Sequence, residues 1–204
     1  LMARHLEDIM LMRQAITGEE GATTPSAPPR IGVTRTHVWP EALPESVYMI
    51  ASATERLAAA GAVIADVELT DDFQAVMECF TYITSYEGVR STDDIVAENL
   101  DTINSWSRQR HEFGKTVSFG DYESAKAEAK RVRGLLASVF SEYDILITPA
   151  AKGEAPKDLT AIEGGSFNVL WTLMHVPCVT LPCFSGPNGM PVGIQIVGPQ
   201  HEDG

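Results

Sequence analysis

The chain has 204 residues, 44% of them hydrophobic and 21% charged, the profile of an ordinary globular protein of one domain or two small ones. Fifteen Lys and Arg stand against 28 Asp and Glu, a net charge of −13 that argues against a nucleic-acid binder and against docking on anionic membranes. No apolar run approaches the roughly 18 residues of a membrane-spanning helix, and three cysteines (Cys79, Cys178, Cys183) at unhelpful spacings fit a reducing, cytoplasmic setting better than a disulfide framework or a Cys-rich zinc site.

The chain begins at Leu1 and runs straight into an amphipathic pattern. Met2, Leu6, Ile9, Met10 and Ile16 approximate a helical stripe over 2–17, with Gly18 as its stop. Residues 18–30 are rich in Pro and Gly and read as a loop, because proline removes backbone donors and fixes φ. Arg30 to Thr34 is a short strand. Pro44 opens a helix that places Val47, Ile50, Ala51, Leu57 and Ala58 on one face and ends at Gly61. Val63, Ala65, Val67 and Leu69 alternate with more polar neighbours, so a second strand follows. Strand, helix, strand over about 40 residues predicts a βαβ unit with parallel pairing.

Residues 72–106 are expected to be mostly helical, and 107–120 to be a polar, broken connection. Asp121 is expected to cap a long helix through Ser141, with Ala125, Ala129, Val132, Leu136, Val139 and Phe140 as its apolar stripe. Asp144 to Thr148 reads as a buried strand stopped by Pro149, and 165–175 as a helix. Val179 to Leu181 and Val192 to Val197 read as strands paired antiparallel across the turn-rich 185–189 segment. The predicted fold class is α/β: a mixed β-sheet flanked by helices, mostly crossover connections, with one hairpin near the end.

The charge is unevenly placed. Residues 66–101 hold ten acids and one base, Arg90; residues 102–140 hold seven bases and four acids. The acidic block lacks the alternate-position spacing and Gly turn of a calcium loop, and both blocks read as solvated faces. The five histidines form no His-x-x-x-His pair, so a catalytic zinc site is not expected. Cys178 and Cys183 flank a strand and read as core or near-core thiols, with no adjacent base to activate them. A Ser–His pair can be drawn from Ser166 and His175, but there is no Gly-x-Ser-x-Gly elbow. Gly164, Gly165 and Ser166 could present backbone N–H groups to an anion, and a plain helix start explains them better. Trp171 is the one tryptophan in a segment where a pocket is expected. No dinucleotide or phosphate-loop fingerprint is present.

The last forty residues add a resemblance. Ser166-Phe167-Asn168-Val169-Leu170-Trp171 leads to His175-Val176-Pro177-Cys178-Val179-Thr180-Leu181-Pro182, and then to Gly189-Met190-Pro191-Val192-Gly193-Ile194-Gln195-Ile196-Val197-Gly198-Pro199. This run resembles the C-terminal signature of the amidase signature family: a Phe-Asn-x-Leu-Trp helix, a Pro-bracketed strand, then Leu-Pro-Val-Gly-Leu-Gln. Asp144 to Pro149 is similar to the family's preceding strand, Met2-Ala3-Arg4 with Glu7-Asp8 to its Met-Ala-Arg stretch, and Arg30 to Val33 to the strand after that. The resemblance runs through nearly the whole chain in order, with a generic middle over 72–140. Pro177 and Pro182 limit where the closing strand can pair, Gly193 leaves room for a neighbour, and Gln195 mid-strand needs hydrogen-bond partners if buried.

The resemblance implies amide C–N hydrolysis, or transfer of the released ammonia, by a Ser–cis-Ser–Lys triad with an oxyanion loop. In the family those groups lie upstream of the Met-Ala-Arg stretch. Lys115, Lys126, Lys130, Lys152 and Lys157 match none of that context, so no catalytic residue is carried over. The expectation is therefore that 1–204 is the C-terminal portion of one amidase-like domain, inactive by itself, exposing apolar surface and unpaired strand edges. Its contribution would be sheet packing and one wall of a substrate pocket, with Ile162, Gly165 and Phe167 as the candidate wall residues. No metal or organic cofactor is implied. The implied ligand is a small-molecule amide, and the protein partner is either a second copy or a missing N-terminal half. The rival expectations are a non-catalytic binding or interaction subunit derived from an amidase, and a self-contained hydrolase using Ser166 and His175. Two departures bear on substrate: His175 stands where many members have Gly, and Thr172 where many have Asn.

Overall fold

The computed structural model describes residues 1–18, 27–99, 101–158 and 165–202. Five strands form one sheet: β1 (Arg30–Thr34), β2 (Val63–Val67), β3 (Ile145–Pro149), β4 (Cys178–Ser185) and β5 (Pro191–Val197), in the order β2-β1-β3-β5-β4. The first three are parallel; β5 is antiparallel to both β3 and β4. The sheet is mixed and flanked by helices, as the sequence predicts.

Alternation along the central strands divides the core in two. Ile31 and Val33 of β1, Ile147 of β3, and Val192 and Ile194 of β5 face α2 (Pro44–Ala59), which contributes Met49, Ile50 and Ala53. Leu146 and Val197 belong to the other core with Val67, and there they meet three helices: α3 (Asp72–Ala75) through Phe73, α6 (Phe119–Val139) through Ala129, Val132 and Leu136, and α7 (Ser166–Met174) through Leu170, Trp171, Leu173 and Met174. Each fully buried side chain of this size contributes roughly 1.5–3 kcal/mol of hydrophobic free energy, which is why α7, only nine residues long, is firmly seated.

Several boundaries differ from expectation, each for a physical reason. Helix α1 (Leu6–Thr17) starts later than residue 2 and buries none of its residues, although Gly18 does end it in the left-handed conformation at φ 73°. Strand β2 stops at Val67, and its alternation does not translate into burial because it lies at the sheet edge; Val63 stays exposed. Pro149 joins β3, where it pairs with Ile194, instead of stopping it short. Strand β4 runs on to Ser185 through Pro182, which an edge strand tolerates, and its pairing shifts between Leu181 and Phe184.

The largest correction concerns 107–120. Those residues are not a broken connection: α5 (Ser105–Thr116) covers most of them, started by Asn104, whose side chain accepts from the Ser107 N–H at 2.8 Å. Long helix α4 (Met77–Glu98) precedes it. The helix α5 is strongly polar and has no apolar stripe to read. It is held by close approach to α4, where Gly114 lies so near the Ser85 carbonyl that an added Cβ would collide with it. Helix α6 begins two residues before Asp121, capped by Ser118; Asp121 closes a capping box by accepting from the Ser118 N–H at 3.2 Å.

Two glycines should therefore respond in opposite directions. Gly114→Ala is expected to lower stability by about 2 kcal/mol through overpacking against backbone. Gly134→Ala, in exposed helix with open space around it, is expected to raise stability by about 0.5–1 kcal/mol. Urea denaturation of both variants checks this; a tolerated Gly114→Ala would contradict the close α4–α5 crossing.

Candidate functional site

The chain passes from β1 to β2 on one side and then crosses to β3 on the other, so the carboxyl ends of β1 and β3 form the switch point at which open α/β sheets tend to bind ligands. Buried polar side chains converge there. Thr148 pairs with Gln195, and Thr34 lies one register step beyond the Val33–Ile147 pair. All three project to the face that carries α7, and each is at most 4% exposed. The Oγ1 atoms of Thr34 and Thr148, Oε1 of Gln195 and Nε1 of Trp171 have no hydrogen-bond partner among the described residues; nor do Thr36 Oγ1 and His37 Nδ1 just past β1. Unsatisfied buried groups typically cost about 1–3 kcal/mol each, so their concentration at one end of one sheet marks a place that is built for something polar.

Helix α7 organises this end. Asn168 Nδ2 donates to the Ala150 carbonyl at 3.1 Å, while its Oδ1 accepts from Gln195 Nε2 at 2.7 Å. One side chain thus ties the helix, the exit of β3 and the middle of β5, and it holds Gln195 with Oε1 free to accept. The partner that mid-strand Gln195 was expected to need is Asn168. Gly193 is next to Thr180 and Ala150, which a Cβ would crowd. A cavity of about 150 Å³ past the end of β1 is lined by Arg35, Thr36, His37, Phe73 and Leu170 among others, so that of the unpartnered groups it meets Thr36 and His37. Burial pushes the His37 imidazole below its usual pKa, against the opposing charge of Glu41.

The loop after β3 is clamped by Glu154. Its carboxylate accepts from the Asn188 N–H at 3.1 Å, from the Asn188 side chain and from the Met190 N–H at 3.2 Å, which fixes the β4–β5 turn. Burial pushes the Glu154 carboxyl up, but these donors outweigh it and hold the group below the ordinary carboxylate range. A larger cavity, about 540 Å³, sits at the other end of the sheet, beside the Arg30–Asp144 pair that joins the starts of β1 and β3.

Of the expected wall residues, Ile162 lies outside the described residues. Gly165 is exposed at the start of α7, and Phe167 is buried at 2% exposure beneath it. Ser166 and His175 cannot act together: they occupy opposite ends of α7, roughly 13 Å apart along its axis. Ser166 instead donates to Glu41 at 3.4 Å. Cys178 and Cys183 lie exposed on the edge strand β4, not in the core, and partial desolvation pushes Cys178 up to about 11, the wrong direction for a nucleophile. Lys126 is raised by its bond to Glu123, away from the neutral form that a lysine base requires. Among the described residues no three His, Cys, Asp or Glu groups converge as a metal site would require. Sequence reasoning did not find Thr34, Thr36, His37 or Thr148, because strand register alone brings them to the same end.

His175 takes the left-handed conformation at φ 56°, ending α7. This is the geometry glycine adopts most easily. Its Nε2 lies 3.0 Å from Arg133 Nη2, and Arg133 Nε donates to the Leu173 carbonyl at 2.8 Å. Since the guanidinium can only donate, Nε2 must accept, which requires an unprotonated nitrogen. Burial, then the Arg133 charge, lower the His175 pKa against the smaller pull of Glu87.

Comparison with known proteins gives a consistent result. A family model described as Amidase matches residues 1–204. One of the subunits of a glutamyl-tRNA(Gln) amidotransferase, from Halothermothrix orenii, is 28% identical over 186 residues, covering 76% of this chain and 39% of that protein. A 2-amino-5-chloromuconic acid deaminase from Comamonas testosteroni is 24% identical, covering 98% of this chain and 46% of that one. A crystal structure of an amidase superposes with a TM-score of 0.87 at 25% identity, over 99% of this chain and 49% of that one. The chain thus spans less than half the length of these relatives.

Two stability tests follow. Asn168→Ala is expected to cost about 1–3 kcal/mol, because it strips partners from buried Gln195 and from the Ala150 carbonyl. A loss under about 0.5 kcal/mol would contradict the tie. His175 has a folded pKa below its usual 6.5, so the stability it contributes is full above that value and is lost as pH falls through the folded pKa. His175→Gly should be no less stable than the parent at pH 8 and clearly more stable at pH 5.5, as measured by denaturation at both pH values; a deficit above about 1 kcal/mol at pH 8 would contradict the αL argument.

Proposed function

The chain belongs to the amidase family, and on that premise we propose that it forms part of an amidohydrolase that cleaves a carboxamide C–N bond by Ser–cis-Ser–Lys acyl transfer. The attacking serine, its serine relay and the lysine base come from polypeptide outside these 204 residues, and this portion supplies a substrate-facing wall. The observation that carries the proposal is the cluster of unpartnered buried groups under α7: Trp171 Nε1 can donate, Gln195 Oε1 can accept, and the hydroxyls of Thr34 and Thr148 can do either. That is the complement an amide needs, since an amide offers one carbonyl acceptor and N–H donors. The segment that leads into α7 would form the wall: Gly165 is exposed there and Phe167 is buried behind it, and Ile162 is the third candidate.

Two exposed surfaces support the placement of further polypeptide. Helix α1 shows Leu6, Leu11 and Ile16 on its surface without a buried residue. Strand β4 is one of the two edge strands and is largely uncovered, with Val179 40% exposed. A bare strand edge and an apolar helix face are the surfaces through which a divided fold would be completed. The free cysteines Cys79, Cys178 and Cys183 support a cytoplasmic setting. No described helix is long and apolar enough to cross a membrane.

The test is hydrolysis of simple carboxamides. The 204-residue chain alone should release no ammonia above background. A polypeptide that joins it to an upstream portion carrying the lysine and serines should be active, and there Ile162→Ala should raise KM severalfold with a smaller change in kcat. Hydrolysis by the chain alone that Ser166→Ala abolishes would overturn the proposal.

A further inference from the structure

A second cavity, mostly apolar with a few polar groups, lies between α4 and α5, away from the sheet. It has a volume of about 160 Å³, and its lining includes Thr84, Ser85, Thr92, Ser107, Arg110 and His111. Arg110 is half-buried, its guanidinium carbon 5.4 Å from the centre of the Phe80 ring and 5.2 Å from that of Trp106. It donates to the Thr84 hydroxyl. Among the described residues, Arg110 has no carboxylate within ion-pair distance, whereas Arg30, Arg35 and Arg131 each do. Burial lowers its pKa with no opposing contribution from an acid. A partly desolvated guanidinium held only by a neutral hydroxyl and two ring faces gains when an anion enters beside it.

The neighbouring hydroxyls point the same way. Thr84, Ser91 and Thr92 all donate to carbonyls four residues back along α4. Ser85 does not: it is 2% exposed, it lines the cavity, and its Oγ has no partner among the described residues. Its donor is therefore uncommitted. His111 contributes shape, because its Nε2 is engaged with Asp93 at 2.9 Å.

We propose that this cavity is a binding site for the carboxylate of a small organic acid, held by the guanidinium of Arg110 and the hydroxyl of Ser85, with the exposed indole of Trp106 at its mouth. One guanidinium balances one negative charge. Asp93 beside His111, with Asp94 next along α4, disfavours a dianion such as inorganic phosphate. A water takes about 30 Å³ in the liquid, so the cavity holds roughly five such volumes, enough for an acid with a few heavy atoms. This site is independent of the amide site under α7.

Calorimetric titration with propionate at constant ionic strength tests the proposal, with propionamide as the neutral isostere and inorganic phosphate as the dianion. Propionate should bind saturably; propionamide and phosphate should bind at least tenfold more weakly. Arg110→Gln should weaken propionate at least tenfold, and Ser85→Ala severalfold with an unchanged melting temperature. If Arg110→Gln does not fold by circular dichroism, Ser85→Ala decides. Absence of saturable propionate binding, equal binding of propionamide, or undiminished binding by the variants would overturn the site.

Discussion

Leu146 and Ile147 are adjacent in β3, yet they serve different hydrophobic cores: Leu146 packs with α6 and α7, Ile147 with α2. The two-residue period of a strand makes this unavoidable once β3 is covered on both faces. The same strand pairs in parallel with β1 on one side and antiparallel with β5 on the other. Everything at the sheet's carboxyl end inherits its position from that strand. A slip of one residue would swap the cores and turn Thr148 to the wrong face. The Arg30–Asp144 interaction guards against such a slip, since Asp144 accepts from both the Arg30 backbone N–H at 2.7 Å and its guanidinium at 2.6 Å, tying the starts of β1 and β3. Those bonds hold the Asp144 carboxyl below its ordinary range.

The register places the polar groups, and α7 gives them their orientation. Its apolar residues anchor it: Leu170, Trp171, Leu173 and Met174 are all in the core. Asn168 faces the sheet from the same helix and has both ends of its amide engaged. That leaves Gln195 with one free acceptor at a fixed place, which is how a scaffold presents a polar atom without lending it mobility. Trp171 does something similar, because its ring is fully committed to the core while its Nε1 has no partner among the described residues.

Elements whose local chemistry is decisive were legible from sequence: β1, the Pro44 start of α2, the stripe of α6, and the hairpin of β4 and β5. Each has an uninterrupted apolar pattern or a turn made of Gly, Pro and Asn. The buried face of α2 was not legible, since Ser46, Met49, Ile50 and Ala53 are buried while the expected Val47, Ala51 and Ala58 are exposed. Helix α5 was not legible, because its stabilising contacts are polar or steric: the Gly114–Ser85 approach, the Arg110–Thr84 bond and the His111–Asp93 pair. Hydrophobic periodicity carries no information about such a helix. The site was legible only in part. Gln195 and Trp171 stood out as a polar group in an apolar strand and a tryptophan in a pocket-forming segment. Thr34, Thr36 and Thr148 are ordinary residues in ordinary strands, and only the pairing of β1, β3 and β5 makes them neighbours. The odd His175 in place of glycine was visible as a departure, but its left-handed backbone and its bond to Arg133 were not.

Unpaired buried polarity falls mainly in two places, and comparison of the two separates their chemistry. Under α7 the free groups are neutral: hydroxyls, an indole N–H and an amide oxygen. A charged guest there would find no counter-charge among them, whereas a neutral guest with matched donors and acceptors would satisfy several at once. Between α4 and α5 the free donor, Ser85, stands beside a guanidinium, and a neutral guest would leave that charge uncompensated. The low-dielectric surroundings that make each group expensive when unpaired also sharpen its preference when paired. One chain thus holds neutral polar groups at the switch point of its sheet and an unpaired guanidinium in its helical hairpin, and the free energy of desolvation gives the two places opposite preferences, for a neutral guest at the first and an anionic one at the second.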